Sequence, residues 1–419
     1  MINVEDVIDR EINIDEYWNF GSSKEYKMHA LHAYPAKFPA FIASKAFAYA
    51  QNEGVNVNTV SDIFCGCGTV ALEAKINGKS FWGCDINPVA TLIARAKSAT
   101  YDVNVLEQYY IKVQDKISSI EVAKNDYSKS NIRIQYWFTE KSFIELYKLK
   151  MAIELTVEEP LYKDAFLCLF SSILKSASRW LTKSIKPQVD PDKKDIDIQH
   201  AFNLKYKKLI NAVNELDDIE NAGDIVIENI NFLEMKDLPR VDLIITSPPY
   251  VTSYEYADLH QLSSLWLDYV DDYRELRKGS IGSVYNSGEF SLDDQELNVV
   301  GEKIIENLRQ CVKHHSKVRS VARYYVDMQN VVKKCKGMLN DGGMAFFVVG
   351  DTEYKGVKIL NSHHLVQSLK DNGFKEIKIT KRRISNKLLS PYRDSVGKFS
   401  ADKNARTIYH EEFIISGRV

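Results

Sequence analysis

The sequence lacks the features that mark several common protein classes. No apolar run approaches the roughly 18 residues that a membrane-spanning helix needs, so we expect no membrane association. The six cysteines include no CxxC pair, which argues against a disulfide framework and against a zinc site. The start of the sequence is too acidic for a signal peptide. We therefore expect a protein of a reducing cytoplasm that holds no metal.

Extremes of composition are absent as well. With 10 prolines and 19 glycines in 419 residues, and without any low-complexity tract, the composition is that of a globular protein. A net charge of −2 points to no particular partner, but the basic residues are unevenly spread. Residues 305–340 hold eight Lys/Arg against two acids, and residues 370–406 hold eleven against four. Such asymmetry is typical of a nucleic-acid-binding surface, although solvated helix faces also produce it.

Short apolar runs that alternate with helical periodicity predict an α/β fold. Helical patterns follow the first two runs, at 70–77 and 88–98, and this alternation implies parallel βαβ units in a doubly wound sheet. The two runs at 374–384 and 408–415 are predicted to be a pair of strands that closes the sheet. The predicted strands are 59–64, 79–84, 224–227, 241–245, 344–349, 374–384 and 408–415.

The middle of the chain has helical periodicity with little sign of strands. We interpret residues 101–221 as a largely helical insertion, in which the polar segment 186–195 is a loop of possible mobility. Residues 1–100 and 222–419 are then the two halves of one α/β core. The predicted helices of the insertion and of the second half are 104–124, 139–156, 161–182, 201–217, 256–269, 292–313, 326–339 and 362–372.

A glycine turn follows the first predicted strand, in DIFCGCGT at 62–69. Gly66 and Gly68 would let the backbone turn sharply onto a helix and approach a ligand closely. The next strand ends in Asp85, which is well placed to accept hydrogen bonds from the hydroxyls of a ribose. An acid at position 62 disfavours a pyrophosphate and suits a cationic amino-acid end. These residues indicate S-adenosylmethionine rather than NAD.

The strand at 241–245 ends in Ser247-Pro248-Pro249-Tyr250. Two prolines fix their own φ angles and cannot donate to a sheet, so the loop that they form is rigid. A proline turn that merely ends the strand is the plain alternative. The loop delivers a hydroxyl, a carbonyl and an aromatic ring to the same edge of the sheet as the glycine turn.

Together these motifs resemble the S-adenosylmethionine-dependent DNA amino-methyltransferases of the cytosine-N4 and adenine-N6 type. DIFCGCGT and Asp85 resemble their motifs I and II, SPPY resembles the catalytic motif IV, and HAYPAKFP at 32–39 is similar to motif X. The resemblance implies a Rossmann-like methyltransferase sheet that binds S-adenosyl-L-methionine. The cofactor-binding residues that it implies are Tyr34, Pro35, Lys37, Asp62, Phe64, Gly66, Gly68, Thr69, Asp85 and Asn231, with Asn229 as an alternative to Asn231.

The resemblance assigns catalysis to the SPPY loop. Ser247 and the Pro248 carbonyl would accept hydrogen bonds from an exocyclic amine, Pro249 would stiffen the loop, and Tyr250 would stack on a flipped base. Tyr254, Tyr256 and His260 could line the same pocket. A cytosine-C5 enzyme would need a nucleophilic cysteine after a proline, and the sequence has no Pro-Cys dipeptide.

The substrate that the family habit implies is double-stranded DNA, in restriction–modification or host defence, with a cognate restriction endonuclease as a separate possible partner. A serine in the first motif position favours cytosine N4. An adenine-N6 enzyme, an RNA base-amine methyltransferase and an inactive nucleic-acid-binding relative are the alternatives. The oligomeric state and the recognition sequence are left open.

Two segments could read the target, the helical insertion and residues 270–323, because no separate recognition region follows the core motifs. The first carries Lys175, Arg179, Trp180, Lys183 and Lys186, and the second carries Arg274, Arg277, Lys278 and the basic cluster at 309–323. The residues predicted to contact nucleic acid are Arg179, Lys183, Arg319, Arg323, Arg382, Arg383 and Arg393, with Lys387 beside them.

Overall fold

The structure is a computed structural model. It describes residues 2–3, 12–20, 25–35, 37–123, 125–217, 219, 223–251, 255–283, 285, 290–291, 295–311, 315–384, 392–393, 402, 406–407 and 411–419.

One large sheet organises the molecule. Its strands, in chain order, are β1 (Ile2–Asn3), β2 (Thr59–Asp62), β3 (Ser80–Asp85), β4 (Ile225–Asn229), β5 (Val241–Thr246), β6 (Leu339–Val349), β9 (Lys375–Arg383) and β12 (Glu411–Arg418). Two separate hairpins pair β7 (Thr352–Tyr354) with β8 (Val357–Ile359) and β10 (Tyr392–Arg393) with β11 (Arg406–Thr407).

The helices follow in chain order. They are α1 (Ala40–Asn52), α2 (Thr69–Ile76), α3 (Pro88–Ser98), α4 (Val103–Ile117), α5 (Asp126–Lys129), α6 (Ile132–Trp137), α7 (Glu140–Thr156), α8 (Pro160–Ala177), α9 (Ile198–Glu215), α10 (Tyr256–Leu259), α11 (Gln261–Trp266), α12 (Val299–Cys311), α13 (His315–Met338) and α14 (Asn361–Asp371). Short 3-10 helices cover Glu16–Trp18, Lys27–Ala30, Phe232–Glu234 and Tyr273–Arg277. In the described parts of the chain, no helix is long and apolar enough to cross a membrane.

The large sheet has the order β1-β9-β12-β6-β5-β2-β3-β4. Strands β4, β3, β2, β5 and β6 are parallel, and β12 is antiparallel to both β6 and β9. The prediction of a doubly wound, mostly parallel Rossmann-like sheet is therefore confirmed, including the closing pair of strands. Because β3 follows β2 on one side and β5 flanks it on the other, the strand order reverses at β2, where such sheets bind ligands.

Helices cover both faces of the sheet. Alternate residues of β5 point to opposite sides, so that Leu243 and Ile245 pack with α1 and α2, whereas Ile244 packs with α12, α13 and α14. This alternation explains the continuous apolar run in the sequence, because a parallel strand is buried on both faces.

The insertion between α3 and β4 is helical, as predicted. Its helices α4 to α9 share one apolar cluster with α3, and the Arg95 side chain of α3 also pairs with Asp164 of α8 at 2.5 Å. The predicted helix 161–182 ends earlier, at Ala177. The segment that follows folds back on itself, and Leu181 N donates to Gln188 O at 2.8 Å.

Other boundaries differ from the predictions in ways that neighbouring structure explains. The single helix predicted at 256–269 is two short helices that meet at His260. The helix predicted at 326–339 begins at His315, and β6 follows it directly. A register shift against β5 lies within residues 340–343, where Gly342 has a φ of 75°. The hairpin of β7 and β8 was missed because its strands have three residues each.

Candidate active site

The predicted motifs meet at one edge of the sheet. Asp62, Asp85 and Thr246 end the parallel strands β2, β3 and β5, and Gly350 follows β6. Because parallel strands deliver their carboxyl ends to the same side, the glycine turn, Asp85 and the SPPY loop lie along one edge of the sheet, where such sheets form their ligand-binding crevice.

Asp62 is buried beneath this crevice. One of its carboxylate oxygens accepts a hydrogen bond from the Thr246 hydroxyl at 2.7 Å and from Phe64 N at 3.1 Å. Burial raises the pKa of Asp62 to about 7, with Asp85 adding a smaller repulsion, although both hydrogen bonds oppose the shift. Asp62 thus ties β2 to β5 and has a carboxyl group that titrates near neutrality.

Asp85 holds the glycine turn. Its two carboxylate oxygens accept from Gly66 N and from Asn87 N, both at 2.9 Å. Burial also raises the pKa of Asp85, against the effect of these two hydrogen bonds. The residue predicted to bind a ribose therefore also fixes the loop that such a ligand would approach.

The glycines of the turn are required for two different reasons. Gly66 has a φ of 47° and Gly68 a φ of 72°, a region that L side chains rarely adopt. A Cβ on Gly68 would in addition lie 2.7 Å from the Cα of Ala94, so α2 and α3 can approach only over a glycine. Thr69, the first residue of α2, is buried behind the turn.

Tyr34 forms one wall beside the glycine turn. A Cβ built on Gly66 would be in ordinary contact with the Tyr34 ring, which stacks on His260 with ring centroids 4.9 Å apart. Asn87 accepts from Val89 N through Oδ1, so its amide nitrogen faces His260 Nδ1 at 2.7 Å and donates to it. The neutral His260 ring therefore carries its proton on Nε2.

His260 stays neutral because it is buried. Burial lowers the pKa of His260 to about 3, with a smaller effect from His32. Its Nε2 is buried without a hydrogen-bond partner in the described structure. The sequence suggested that His260 lines a base pocket, whereas the structure places it against Tyr34.

The segment predicted to resemble motif X lies along this wall. His32 Nε2 is 2.9 Å from the Ser171 hydroxyl of α8, so the segment is tied to the helical insertion. Lys37 pairs with Glu25 at 2.8 Å, and Pro35 is half-buried. A ligand carboxylate would have to compete with Glu25 for Lys37.

The other predicted cofactor contacts lie at the same edge. Phe64 is half-buried and packs with the apolar cluster of α12 to α14. Asn229 donates to Asp85 O at 2.8 Å, and Asn231 donates to Glu234 at 2.9 Å while it caps a 3-10 helix. Both asparagines therefore have protein partners.

The SPPY loop leaves the sheet directly above Asp62. The Ser247 hydroxyl donates to Val348 O at 3.0 Å, across the neighbouring strand β6. Its hydrogen is thus used, and the lone pairs of the oxygen are directed elsewhere as acceptors. Pro248 is buried, whereas Pro249 is half-buried.

Tyr250 is held at its hydroxyl and along one side of its ring. Its hydroxyl donates to Glu412 at 3.1 Å, and a Cβ on Gly350 would lie 2.9 Å from the ring carbon Cε2. Burial raises the pKa of Tyr250 well above its ordinary value, and Glu412 adds to the effect. The phenol is therefore a neutral hydrogen-bond donor.

A pocket opens beside Tyr250. It is partly open to solvent, and the space between its lining residues, solvent included, is about 310 Å³. Lys317 interacts with the carboxylate of Glu255, which lines the pocket, so a cation lies near it. Burial lowers the pKa of Lys317. The pocket is lined by Pro249, Tyr250, Glu255, Tyr256, Ser280, Ile281, Gly282 and Ser283.

The residues predicted to contact nucleic acid fall into different environments. Lys183, Arg319 and Arg383 are exposed. Arg323 is partly exposed and pairs with Asp327 at 3.0 Å. Tyr254 and Lys387 lie outside the described residues, and of Arg393 only the backbone is described.

Two of the predicted phosphate contacts need correction. Arg179 donates to the backbone oxygens of Gln135 and Tyr136, at 2.8 and 2.7 Å, and so joins the end of α8 to α6. Arg382 is only 2% exposed and pairs with Glu412 at 2.6 Å. Because both guanidinium groups are bonded to other parts of the protein, Arg382 while buried and Arg179 while half-buried, the structure gives them packing roles.

Sequence reasoning missed the residues that support SPPY from a distance. Val348, Gly350 and Glu412 carry no motif of their own, and their role follows only from the pairing of β5, β6 and β12. Asn87 was detectable, since it precedes a proline at the start of a helix, a typical capping position.

Curated relatives resemble the chain over most of its length. The type II methyltransferase M.MvaI of Kocuria varians is 24% identical over 417 residues, which cover 91% of this chain and 90% of that protein. The type II methyltransferase M.BsoBI of Geobacillus stearothermophilus is 22% identical and covers 77% and 74%. M.AvaI of Nostoc sp., also a type II methyltransferase, is 23% identical and covers 78% and 76%.

No protein-family model matches the sequence. Among solved structures, the rRNA methyltransferase AviRa from Streptomyces viridochromogenes aligns with 92% of this chain and 88% of that chain, at 9% identity and a TM-score of 0.29. The relatives confirm what the motifs indicated. The chain is similar to type II methyltransferases over most of its length, in agreement with the DNA methyltransferase motifs and with S-adenosyl-L-methionine as the cofactor.

Proposed function

We propose that this DNA methyltransferase methylates the exocyclic N4 amine of cytosine within a specific duplex sequence. The observation that carries the proposal is the hydrogen bond from Ser247 to Val348 O, because it turns the hydroxyl hydrogen away and leaves the oxygen as an acceptor. The Pro248 carbonyl is the second acceptor. Two acceptors match the two N–H bonds of one amine, and the diproline keeps them in place without reorganisation.

Holding the amine through both N–H bonds addresses its weak nucleophilicity. The nitrogen lone pair is delocalised into the base, and acceptors placed out of the base plane favour the pyramidal nitrogen that attacks. A stacked base cannot reach these acceptors, so the target must leave the duplex. The proposal places the flipped base at the solvent-open pocket beside Tyr250.

The crevice between the glycine turn and SPPY is the cofactor site in this proposal. When bound, S-adenosyl-L-methionine supplies an electrophilic methyl group on a sulfonium. Asp85 accepts from the ribose hydroxyls, and the buried Asp62 faces the cationic amino-acid end. The other proposed contacts are Tyr34, Pro35, Lys37, Phe64, Gly66, Gly68, Thr69 and Asn231.

Exposed cations position the duplex by phosphate contacts. The candidates are Lys183, Arg319 and Arg383, whose side chains are open to solvent. Arg323 joins them if it leaves Asp327, and Arg393 is retained from the sequence. A cognate restriction endonuclease that cuts the same unmethylated sequence is the partner that we propose to act separately.

The direct test is mass spectrometry of nucleosides from the DNA of cells that express the protein. We expect N4-methylcytosine with the wild type. In assays of methyl transfer to duplex DNA, we expect kcat to be about a hundredfold or more lower for Ser247→Ala, because one amine acceptor is lost. The matched control is Ser118→Ala, an exposed serine at the C-terminal end of α4, which should leave kcat unchanged.

The same measurement separates the alternatives. N6-methyladenine in place of N4-methylcytosine would mean that the pocket accepts adenine. Tritiated cofactor that labels total RNA but not plasmid DNA would identify an RNA enzyme, and no labelling of either would identify an inactive relative. Transfer to DNA that survives Ser247→Ala would show that SPPY does not hold the amine.

A further inference from the structure

We propose that Glu412 and Arg382 are positioning residues, which hold the Tyr250 ring in the orientation that receives the flipped base. This inference rests on the proposed function and adds to it a support for Tyr250 that comes from the opposite end of the chain. Neither residue lines the pocket beside Tyr250.

The first step is the contact between Tyr250 and Glu412. The phenol donates to Glu412 Oε1 at 3.1 Å, so the far end of the ring is tethered as well as its Cβ. Gly350 closes off one side of the ring, since a Cβ there would lie 2.9 Å from Cε2. With the hydroxyl tethered and Gly350 packed against one side, the ring has little freedom to shift.

The second step is the way in which Glu412 itself is held. Its other oxygen, Oε2, accepts from Arg382 Nε at 3.0 Å and from Arg382 Nη2 at 2.6 Å. The two residues are directly opposite each other on the antiparallel strands β9 and β12. The carboxylate is thus fixed by a two-pronged hydrogen bond from a neighbouring strand of the sheet.

The third step is the burial of this pair. The Arg382 side chain is 3% exposed and that of Glu412 is 16% exposed, and the guanidinium lies 5.5 Å from the centre of the Phe41 ring. A charge in such a place needs its partner, so the pair moves only as a unit. Glu412 is therefore a rigid anchor rather than a mobile surface acid.

The consequence concerns the ring as a wall of the pocket. Tyr250 and its neighbour Pro249 line the pocket together with Tyr256 and Gly282. A flipped base can stack productively only if the ring plane is set before the base arrives, because misplacement of about 1 Å lowers the rate of transfer steeply. The chain Arg382–Glu412–Tyr250 sets that plane.

The test is a double-mutant cycle of Tyr250→Phe and Glu412→Gln on methyl transfer to duplex DNA. Tyr250→Phe keeps the ring and the ion pair and removes only the tether. We expect each single change to lower kcat about tenfold with an unchanged KM for S-adenosyl-L-methionine. In the Tyr250→Phe background, Glu412→Gln should lower kcat by less than about twofold more.

The control is Glu411→Gln, which breaks the adjacent cross-strand pair with Lys381 on the same strands, at 3.5 Å, and should leave kcat unchanged. If the effects of Tyr250→Phe and Glu412→Gln multiply, Glu412 does not act through the hydroxyl and the proposal is overturned while the proposed function stands. If Glu412→Gln fails to fold, Tyr250→Phe decides alone, since a wild-type kcat overturns the tether. A wild type that transfers no methyl group to DNA overturns the proposed function itself.

Discussion

The glycine turn after β2 and the SPPY loop after β5 lie on the same edge of the sheet, yet they are supported differently. Around the glycine turn, the carboxylates are held mainly by near neighbours in sequence. Asp62 accepts from a residue two positions away, and Asp85 accepts from residues two and 19 positions away, whereas the Thr246 hydroxyl that also donates to Asp62 comes from 184 positions away. Local chain geometry builds most of this site.

The SPPY loop depends on distant parts of the chain. Ser247 donates to a residue 101 positions away, and Tyr250 donates to one 162 positions away. These partners come from strands β6 and β12, whose places in the sheet depend on the order of all the strands between them. The Ser247 hydroxyl and the Tyr250 ring are therefore correctly positioned only when the sheet is fully formed.

The difference teaches where each site is vulnerable. Damage to the glycine turn should act through local backbone strain and lower stability. Damage behind the SPPY loop should leave the fold intact and misplace the ring or the hydroxyl. Three changes can break or sharpen this comparison.

The largest effect is expected for Gly68→Ala. The new side chain would have a φ of 72° and a Cβ only 2.7 Å from the Cα of Ala94, so both strain and a clash follow. We expect the free energy of unfolding to fall by about 3 kcal/mol, measured by urea denaturation.

The control for this change is Gly54→Ala, because Gly54 also has a positive φ of 79° but has no atom within 4 Å of the added Cβ. It should cost about 1 kcal/mol. Equal losses at the two positions would mean that strain alone acts at Gly68 and that the packing of α2 against α3 contributes nothing.

The next effect tests the distant support. Gly350→Ala would place a Cβ 2.9 Å from the Tyr250 ring without a positive φ at that position, so the ring must shift. We expect kcat for DNA methylation to fall about tenfold, while the dissociation constant of S-adenosylhomocysteine changes by less than about twofold. A loss of cofactor affinity as large as the loss of kcat would contradict the separation of the two sites.

The smallest effect is a pH dependence at the glycine turn. Burial raises the pKa of Asp62 to about 7, so its carboxyl group is mostly protonated at pH 6 and mostly ionised at pH 7.5. Since a cationic cofactor end favours the ionised form, the dissociation constant should be about eightfold higher at pH 6 than at pH 7.5. Isothermal titration with S-adenosylhomocysteine measures this change.

Asp62→Asn should flatten that dependence, and a wild type with the same affinity at both pH values would remove Asp62 from the cofactor site. The effect of pH on folding stability has the opposite sign to its effect on cofactor affinity. A carboxyl pKa that is raised in the folded state means that the contribution of Asp62 to stability is present below its ordinary pKa and is lost as the pH rises through 7. The ionised carboxylate that ligand binding needs therefore does not stabilise the fold of the enzyme without its ligand.

The sequence predicted the fold well where a signal repeats within a few residues. The runs at 59–64, 79–84 and 241–245 correspond to β2, β3 and β5, because a strand that is buried on both faces must be apolar throughout. The helices α7 and α9 are likewise close to their predicted bounds. The hairpin of β7 and β8 escaped prediction because three residues do not establish a period.

Arg382 shows why the environment of a single side chain was harder to predict. It belongs to a run of basic residues, and basic runs are usually solvated or bound to phosphates. Its burial follows from Glu412 on β12, which is its direct cross-strand partner in the folded sheet. The sequence within several residues of Arg382 does not predict that Glu412 is its partner.

The sequence by itself determined the chemistry delivered to the crevice: two carboxylates, a glycine turn, a hydroxyl, a rigid diproline and an aromatic ring, each at the end of a recognisable strand. Only the tertiary structure decided which partner each group has, and so whether Ser247 is an acceptor, whether Arg382 faces solvent and what holds Tyr250. The physical reason is one of range. Periodicity and capping report interactions within a few residues, whereas contacts across a sheet depend on strand order. Closing a loop of 162 residues rather than 20 raises the entropic cost by only about 2 kcal/mol, so distant contacts form readily. Such contacts have no signal in the neighbouring sequence.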